Sequence, residues 1–168
     1  HFLLGPAVVG LAVPLAREWP RVRRLALPIA GALAAGSAVA ALSAVGIAWA
    51  LGASAETLAS IAPKSVTAPI AMGIAEAIGG VPALAAVFAV TTGVIGAVTG
   101  KYVLDACRVV DWPARGFALG LAAHGIGTAR AFQVSGEAGA FAGLAFALHG
   151  LFAALAFPAG RALVQWLL

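Results

Sequence analysis

The chain has 168 residues, of which 62% are hydrophobic and 10% are charged, and its mean hydropathy is +1.04. A typical soluble domain has about 25% charged residues. The ten Lys and Arg and the six Asp and Glu side chains are too few to cover a soluble protein of this size. The composition therefore excludes a soluble domain, a disordered segment and a nucleic-acid-binding module, despite a net charge of +4.

Three long stretches of the chain, residues 25–55, 77–100 and 138–160, contain no Lys, Arg, Asp or Glu. Each is long enough to cross about 30 Å of hydrocarbon as a helix at about 1.5 Å per residue. The sequence predicts an all-α, polytopic membrane bundle that forms a single membrane domain over residues 1–168. Because the chain begins at His1 and not at Met, we expect further N-terminal sequence in the whole protein.

Six apolar segments follow one another along the chain: 2–16, 26–52, 57–77, 81–104, 115–134 and 138–167. The second, fourth and sixth are uninterrupted, and we interpret them as packing helices. The first, third and fifth contain residues that weaken a helix, namely Pro6 and Pro14, Pro63 and Pro69, and Gly120, Gly125 and Gly127. A helix break within hydrocarbon is tolerated only inside protein or beside a wet cavity. The three broken segments are therefore candidate parts of a binding site.

The Arg-rich loop at residues 17–24 is expected to face the cytoplasm. If the third segment crosses the membrane, the basic loop at 101–115 lies outside; if it is re-entrant, that loop lies inside as well. We favour the re-entrant segment, because both basic loops then face the cytoplasm. Residues 2–52 and 115–167 would then run in opposite directions, as the inverted repeats of many secondary transporters do.

Lys64 lies between apolar runs in the third segment. An ammonium group at bilayer depth costs about 2.5 kcal/mol or more, so it should face a cavity or an opposite charge. Ser65 and Thr67 add hydroxyl groups, and the breaks at Pro63 and Pro69 free backbone donors and acceptors. The pattern predicts an anion pocket. The alternative is a lysine that extends to the surface from a shallow re-entrant tip.

The fifth segment contains a second candidate group of residues, between 124 and 130. His124 is expected to lie deep, where it either relays a proton or binds a backbone carbonyl. Gly125 and Gly127 let the chain unwind, so that a half-helix beginning near Thr128 would direct its N–H groups at a bound carboxylate. Arg130 would hold that carboxylate in a two-pronged contact.

Glu76 is a candidate partner of Lys64 or Arg130, or a carrier of a coupling proton, although an interfacial Glu explains the sequence equally well. We interpret His149 as a polar residue of a packing helix. The sequence has no nucleophile elbow and no metal-ligand spacing. We therefore expect no enzyme activity, no metal and no cofactor.

Three motifs together resemble the LrgB/CidB family, and their order and spacing extend over essentially the whole chain. They are Gly-Pro-Ala followed by Leu-Ala-Val-Pro-Leu (5–7 and 11–15), Pro-Lys-Ser-Val-Thr-Ala-Pro-Ile-Ala (63–71) and His-Gly-Ile-Gly-Thr-Ala-Arg-Ala (124–131). This family includes the membrane domain of the plastidial glycolate/glycerate translocator. The sequence departs from the family pattern at Ala68, where a Thr is common, and at Ala123, where a Ser is common.

The resemblance implies a multi-pass protein of the cytoplasmic (inner) membrane that begins with further N-terminal helices and is often encoded with a holin-like partner of the LrgA/CidA type. It implies either a carrier of small monocarboxylates, such as pyruvate, glycolate or glycerate, or an antiholin-like regulator of murein hydrolase activity and cell lysis. The intramembrane lysine and the broken segments favour the carrier. We expect a homo- or hetero-oligomer in the lipid bilayer and no nucleic-acid partner.

Overall fold

The computed structural model describes the backbone of residues 12–167 and the side chains between residues 13 and 160 other than Pro14. Pro6 and most of the first predicted segment lie outside the described residues. Within the described part, the helices are α1 (Ala12–Arg17), α2 (Trp19–Arg24), α3 (Ala26–Ala50), α4 (Ala55–Ile61), α5 (Ala68–Ile78), α6 (Pro82–Ala106), α7 (Trp112–Val134) and α8 (Gly136–Leu167). That part of the chain contains no strand, and the predicted all-α bundle is confirmed.

Three of these helices are long and apolar enough to cross a membrane, at Ala26–Ala50, Pro82–Ala106 and Gly136–Gly160. They match the second, fourth and sixth predicted segments. Their outward side chains are apolar and exposed, for example Val39 at 66%, Val98 at 63% and Leu151 at 62%. So much exposed apolar surface is suited to lipid and not to water, so the chain is an integral membrane protein.

Residues 55–80 form a re-entrant hairpin, here called the first hairpin. It consists of α4, a non-helical tip at residues 62–67, and α5, which ends at Gly79 with a left-handed φ of 86°. The Val81 N–H donates a hydrogen bond to the Ser60 hydroxyl at 2.8 Å. The chain after α5 thus returns to the level of α4, so the predicted re-entrant third segment agrees with the structure.

Helix α7 is itself a second re-entrant hairpin, residues 112–134. Its backbone is non-helical at Ala123 (φ −124°, ψ 15°) and His124 (φ 42°, ψ −132°). The Arg21 guanidinium pairs both with Asp111, which precedes the hairpin, and with Glu137, which follows it. A straight 23-residue helix would separate those two carboxylates by about 35 Å. The chain therefore reverses at residues 123–124, between two antiparallel half-helices.

The first half of the second hairpin packs directly on the backbone of α8. A Cβ atom added at Gly116 would overlap the carbonyl of Ala138, and one added at Gly120 would overlap the carbonyl of Ala142. Small residues at such contacts allow helix backbones to approach closely in membranes. From the first contact to the second, the residue number rises by four in the half-helix and by four in α8. The half-helix and α8 therefore run parallel.

The two hairpins insert from opposite ends of the bundle. The second hairpin opens at the end that carries Arg21, Asp111 and Glu137, here called the basic face, and the first opens at the opposite face, where α3 ends and α6 begins. Residues 55–106 and 112–160 each form a hairpin followed by a spanning helix, and they run in opposite directions. The prediction that 2–52 and 115–167 run in opposite directions is wrong for their long helices. Helix α3 runs alongside the first half of the second hairpin, which is parallel to α8, so α3 and α8 both run from the basic face to the opposite face.

The basic face has most of the positive charge of the chain. Of ten Lys and Arg residues, it carries these eight: Arg17, Arg21, Arg23, Arg24, Lys101, Arg108, Arg115 and Arg130. By the positive-inside rule we expect this face, which includes the loop at 17–24, to be the cytoplasmic one.

Candidate binding site between the hairpin tips

The tips of the two hairpins approach each other on either side of His149, a residue in the middle of α8. The His149 Nδ1–H donates to the carbonyl of Leu121, just before the second tip, at 3.0 Å. The same side chain shares a small cavity with Ser65 of the first tip. One cluster of polar groups is thus built from both hairpins and α8.

Lys64 lies half-buried at the first tip, and its Nζ donates to the hydroxyl of the buried Ser65 at 3.1 Å. None of the ion pairs between described residues includes Lys64. An ammonium group has three N–H donors, so two are left for other acceptors. This end of the cluster is suited to an anion.

The backbone around Lys64 has the predicted breaks. Pro63 is fully buried at the tip. Thr67 is the N-cap residue of α5, with extended backbone, but its half-buried side chain makes no capping hydrogen bond. Pro69 lies in the first turn of α5, where a missing N–H leaves no helical hydrogen bond unmade.

His124 holds the second tip against α6. Its Nε2–H donates to the carbonyl of Ala89 at 2.9 Å, and its own carbonyl accepts a hydrogen bond from the Thr128 hydroxyl at 2.8 Å. Its positive φ is a conformation that costs a non-glycine residue about 1–3 kcal/mol. The structure thus agrees with the alternative in which His124 binds a backbone carbonyl. A role of His124 in proton relay stays a prediction.

The break in the second hairpin, at Ala123 and His124, lies directly before the predicted one at residues 125–128, because the new half-helix begins after His124 and not near Thr128. Gly127 is needed where the half-helices meet, since a Cβ atom there would lie 2.5 Å from the carbonyl oxygen of Leu119. A Cβ atom at Gly125 would meet nothing within 4 Å. The Thr128 hydroxyl, bound to the His124 carbonyl, is buried in the tip.

Arg130 and Glu76 do not join this cluster. Arg130 is exposed and donates to the Gln133 side chain at 3.1 Å. Since the second half-helix runs back toward the basic face, the six residues after His124 move Arg130 about 9 Å away from the tip. Glu76 is exposed near the end of α5, at the opposite face, and takes part in no ion pair between described residues.

Ser37 on α3 belongs to the cluster, although the sequence suggested only a packing role for its helix. Its hydroxyl is buried and has no hydrogen-bond partner in the described part of the chain. It lines a cavity of about 10 Å³ with Ser65 and His149, a volume that holds about one water molecule. A serine or histidine in the middle of a charge-free span is the sequence signal for such a site, because hydrocarbon leaves polar groups unsatisfied.

Comparison with known proteins identifies the family. A family model described as the LrgB-like family matches residues 1–163. The chain belongs to the LrgB-like family. The family match confirms the resemblance that the three sequence motifs indicate.

Several known proteins are similar to the chain in sequence. It is 38% identical to the uncharacterised protein YwbG of Bacillus subtilis, over 93% of the chain and 69% of that relative. It is 37% identical to the uncharacterised protein YxaC of the same organism, over 78% of the chain and 57% of that relative. It is 27% identical to the Holin-like protein CidB of Staphylococcus aureus, over 94% of the chain and 69% of that relative. No solved structure matches.

Proposed function

We propose that the protein is a membrane carrier for small monocarboxylates of the pyruvate, glycolate or glycerate type. The observation that supports this proposal is the meeting of two oppositely inserted re-entrant hairpins beside Lys64. Secondary transporters commonly bind substrate between broken helices near the bilayer midplane, at the interface of inverted repeats. A protein that only packs against a partner needs no such arrangement.

In the proposed site, the two unused N–H donors of Lys64 hold the carboxylate, and the hydroxyls of Ser65 and Ser37 contact its oxygens. His149 lies on the other side of the same cavity. A cavity of about 10 Å³ is too small for a monocarboxylate. Substrate therefore binds when the tips separate, and each hairpin gates access from its own face. His124 is the candidate for proton coupling.

The test is uptake of labelled pyruvate and glycolate into proteoliposomes that contain the full-length protein. We expect saturable uptake that falls to background in Lys64→Met. Arg23→Met, which removes an exposed charge at the basic face, is the matched control and should transport normally. Normal uptake by a folded Lys64→Met protein would overturn the proposed anion site.

The second candidate function is an antiholin-like regulator of murein hydrolase activity and cell lysis, acting with a holin-like membrane protein of the LrgA/CidA type. The CidB relatives are named holin-like proteins, which favours this candidate. Packing helices suffice for this role, so Lys64→Met should keep its effect on lysis. Absence of uptake by folded protein, alone and with the partner, would favour the regulator. In both proposals the protein is a multi-pass, non-enzymatic component of the inner membrane that forms homo- or hetero-oligomers.

A further inference from the structure

We infer that an anionic phospholipid binds in a cleft at the basic face, between α6 and the second hairpin. The cleft has a volume of about 270 Å³ and is here called the lipid cleft. Its walls include Lys101 and Ala97 of α6, Trp112, Arg115 and Leu119 of the incoming half-helix, and Arg130 of the outgoing half-helix. The inference does not depend on whether the protein transports carboxylates or regulates lysis.

One wall of the lipid cleft is fixed and nearly neutral. The Arg115 guanidinium pairs with Asp105 at 2.7 Å and donates to the carbonyl of Val109 at 2.7 Å. It also lies over the Trp112 ring, 5.6 Å from the ring centroid. Arg115 and Asp105 therefore neutralise each other and order the mouth of the cleft.

The other two cations of the cleft are uncompensated. Lys101 and Arg130 are exposed, and neither takes part in an ion pair between described residues. The four charged residues that line the cleft are Lys101, Arg115, Arg130 and Asp105, so their net charge is +2. Basic pockets between membrane helices on the cytoplasmic side bind anionic lipid headgroups.

The depths at which the lining residues lie in the membrane favour a whole lipid over a free phosphate ion. Helix α6 has 25 residues and is about 37 Å long, so it extends a few ångströms beyond each edge of about 30 Å of hydrocarbon. Lys101, five residues from its end, has its backbone about 4 Å inside that edge, from where the ammonium group extends to headgroup depth. Ala97 is one turn deeper, at the depth of acyl chains. Trp112 at the mouth is a residue type enriched at this interface.

A lipid in this cleft would connect elements that move separately if the hairpin opens. Its headgroup would contact α6 through Lys101 and the outgoing half-helix through Arg130. The acyl chain would lie against Leu119 of the incoming half-helix. The position of the second hairpin would then depend on the anionic lipid content of the membrane.

The test is native mass spectrometry of the full-length protein in detergent, titrated with phosphatidylglycerol and, separately, with phosphatidylcholine. We expect one tightly retained phosphatidylglycerol and weak binding of phosphatidylcholine. The double variant Lys101→Gln/Arg130→Gln should lose about 30-fold in affinity for phosphatidylglycerol, since each basic residue contributes about fivefold near an anionic surface. Arg23→Gln/Arg24→Gln, which removes two exposed charges from the same face, should bind as the wild type does.

A third variant separates a lipid from a free anion. Ala97→Phe fills the lower part of the lipid cleft and keeps both cations, so it should also lose phosphatidylglycerol. If the cleft double variant and the control double variant lost equal affinity for phosphatidylglycerol, the inference would be overturned. Binding would then depend on the overall charge of the face and not on the cleft. Retention by the folded Lys101→Gln/Arg130→Gln protein would also overturn it. Competition by millimolar inorganic phosphate, with binding intact in Ala97→Phe, would assign the cleft to a free anion instead.

Discussion

The two re-entrant hairpins reach the same depth by different means. The first hairpin reverses over a six-residue tip, 62–67, that contains a buried proline and an ammonium group. The second reverses over Ala123 and His124 alone, with a histidine in a backbone conformation that favours glycine. A long tip offers side chains and free backbone groups to a ligand, whereas a two-residue tip has few to offer.

The two hairpins also differ in how they are held. The second packs backbone against backbone on α8 at Gly116 and Gly120, and ring hydrogen bonds from His124 and His149 fix its tip. The first is joined to the start of α6 by the Ser60 hydroxyl. The body of the second hairpin is thus positioned by backbone packing and its tip by hydrogen bonds. The first hairpin packs apolar side chains on α6 and α8, and a single hydroxyl closes its base, so substitutions should affect the two hairpins differently.

The largest effect is expected where the second hairpin meets α8. Gly120→Val places a side chain on the Ala142 carbonyl, and backbone cannot yield as a flexible side chain does. We expect a loss of about 3 kcal/mol or more in the free energy of unfolding, measured by unfolding in mixed detergent micelles. Gly46→Val on α3, where nothing lies within 4 Å, is the control. Equal stability of the two variants would contradict packing by shape.

A smaller effect is expected at the base of the first hairpin. The Ser60 hydroxyl accepts from the Val81 N–H at 2.8 Å and donates to the Glu56 carbonyl at 2.6 Å. Ser60→Ala leaves the Val81 N–H without its partner, so it should cost about 1–2 kcal/mol. Ser60→Thr keeps the hydroxyl and serves as the comparison. The same unfolding measurement would count against polar anchoring if Ser60→Ala were as stable as the wild type.

The strain at the second tip can be isolated with two variants at one position. His124→Ala and His124→Gly both remove the ring and its bond to Ala89, but only glycine adopts the positive φ without cost. The Gly variant should be more stable than the Ala variant by about 1 kcal/mol. Thermal unfolding of both in the same detergent measures the difference, and an Ala variant as stable as the Gly variant would argue against strain.

The smallest effect is expected at the basic face. Arg21 pairs with Asp111 and Glu137, but its side chain is 45% exposed. Solvent screening reduces such pairs, so Arg21→Ala should cost less than about 1 kcal/mol, and less again at high salt. Arg23→Ala, which removes an exposed arginine of the same helix, should cost nothing measurable. A salt-independent loss in Arg21→Ala would show that packing and not charge connects these elements.

The sequence predicted the spanning helices and the first hairpin because their signals are local. Charge-free runs mark the spans, and Pro63 and Pro69 mark the tip, since proline lacks the N–H that a helix needs. The glycines of residues 120–127 indicated a break, but glycine does not tell whether a chain continues across the membrane or turns back. That direction depends on contacts such as those of Arg21 with Asp111 and Glu137, which join distant parts of the chain.

The position of the break explains the expectation for Arg130. A half-helix beginning near Thr128 would keep Arg130 within one turn of the tip, whereas the observed half-helix begins directly after His124 and carries Arg130 back toward the basic face. Ser37 was missed for another reason. A small hydroxyl in an otherwise apolar helix resembles a packing residue, and only the neighbouring Ser65 and His149 show that it lines a cavity.

The shortness of the hairpin helices has a consequence for biogenesis. The half-helices of the second hairpin, residues 112–122 and 125–134, are each too short to span about 30 Å of hydrocarbon, so the insertion machinery has no complete span to recognise there. Gly116 and Gly120 acquire their partner only when α8 is made. The packing that positions the second hairpin can therefore form only after the last span has been made, and we expect this hairpin to take its place late in synthesis.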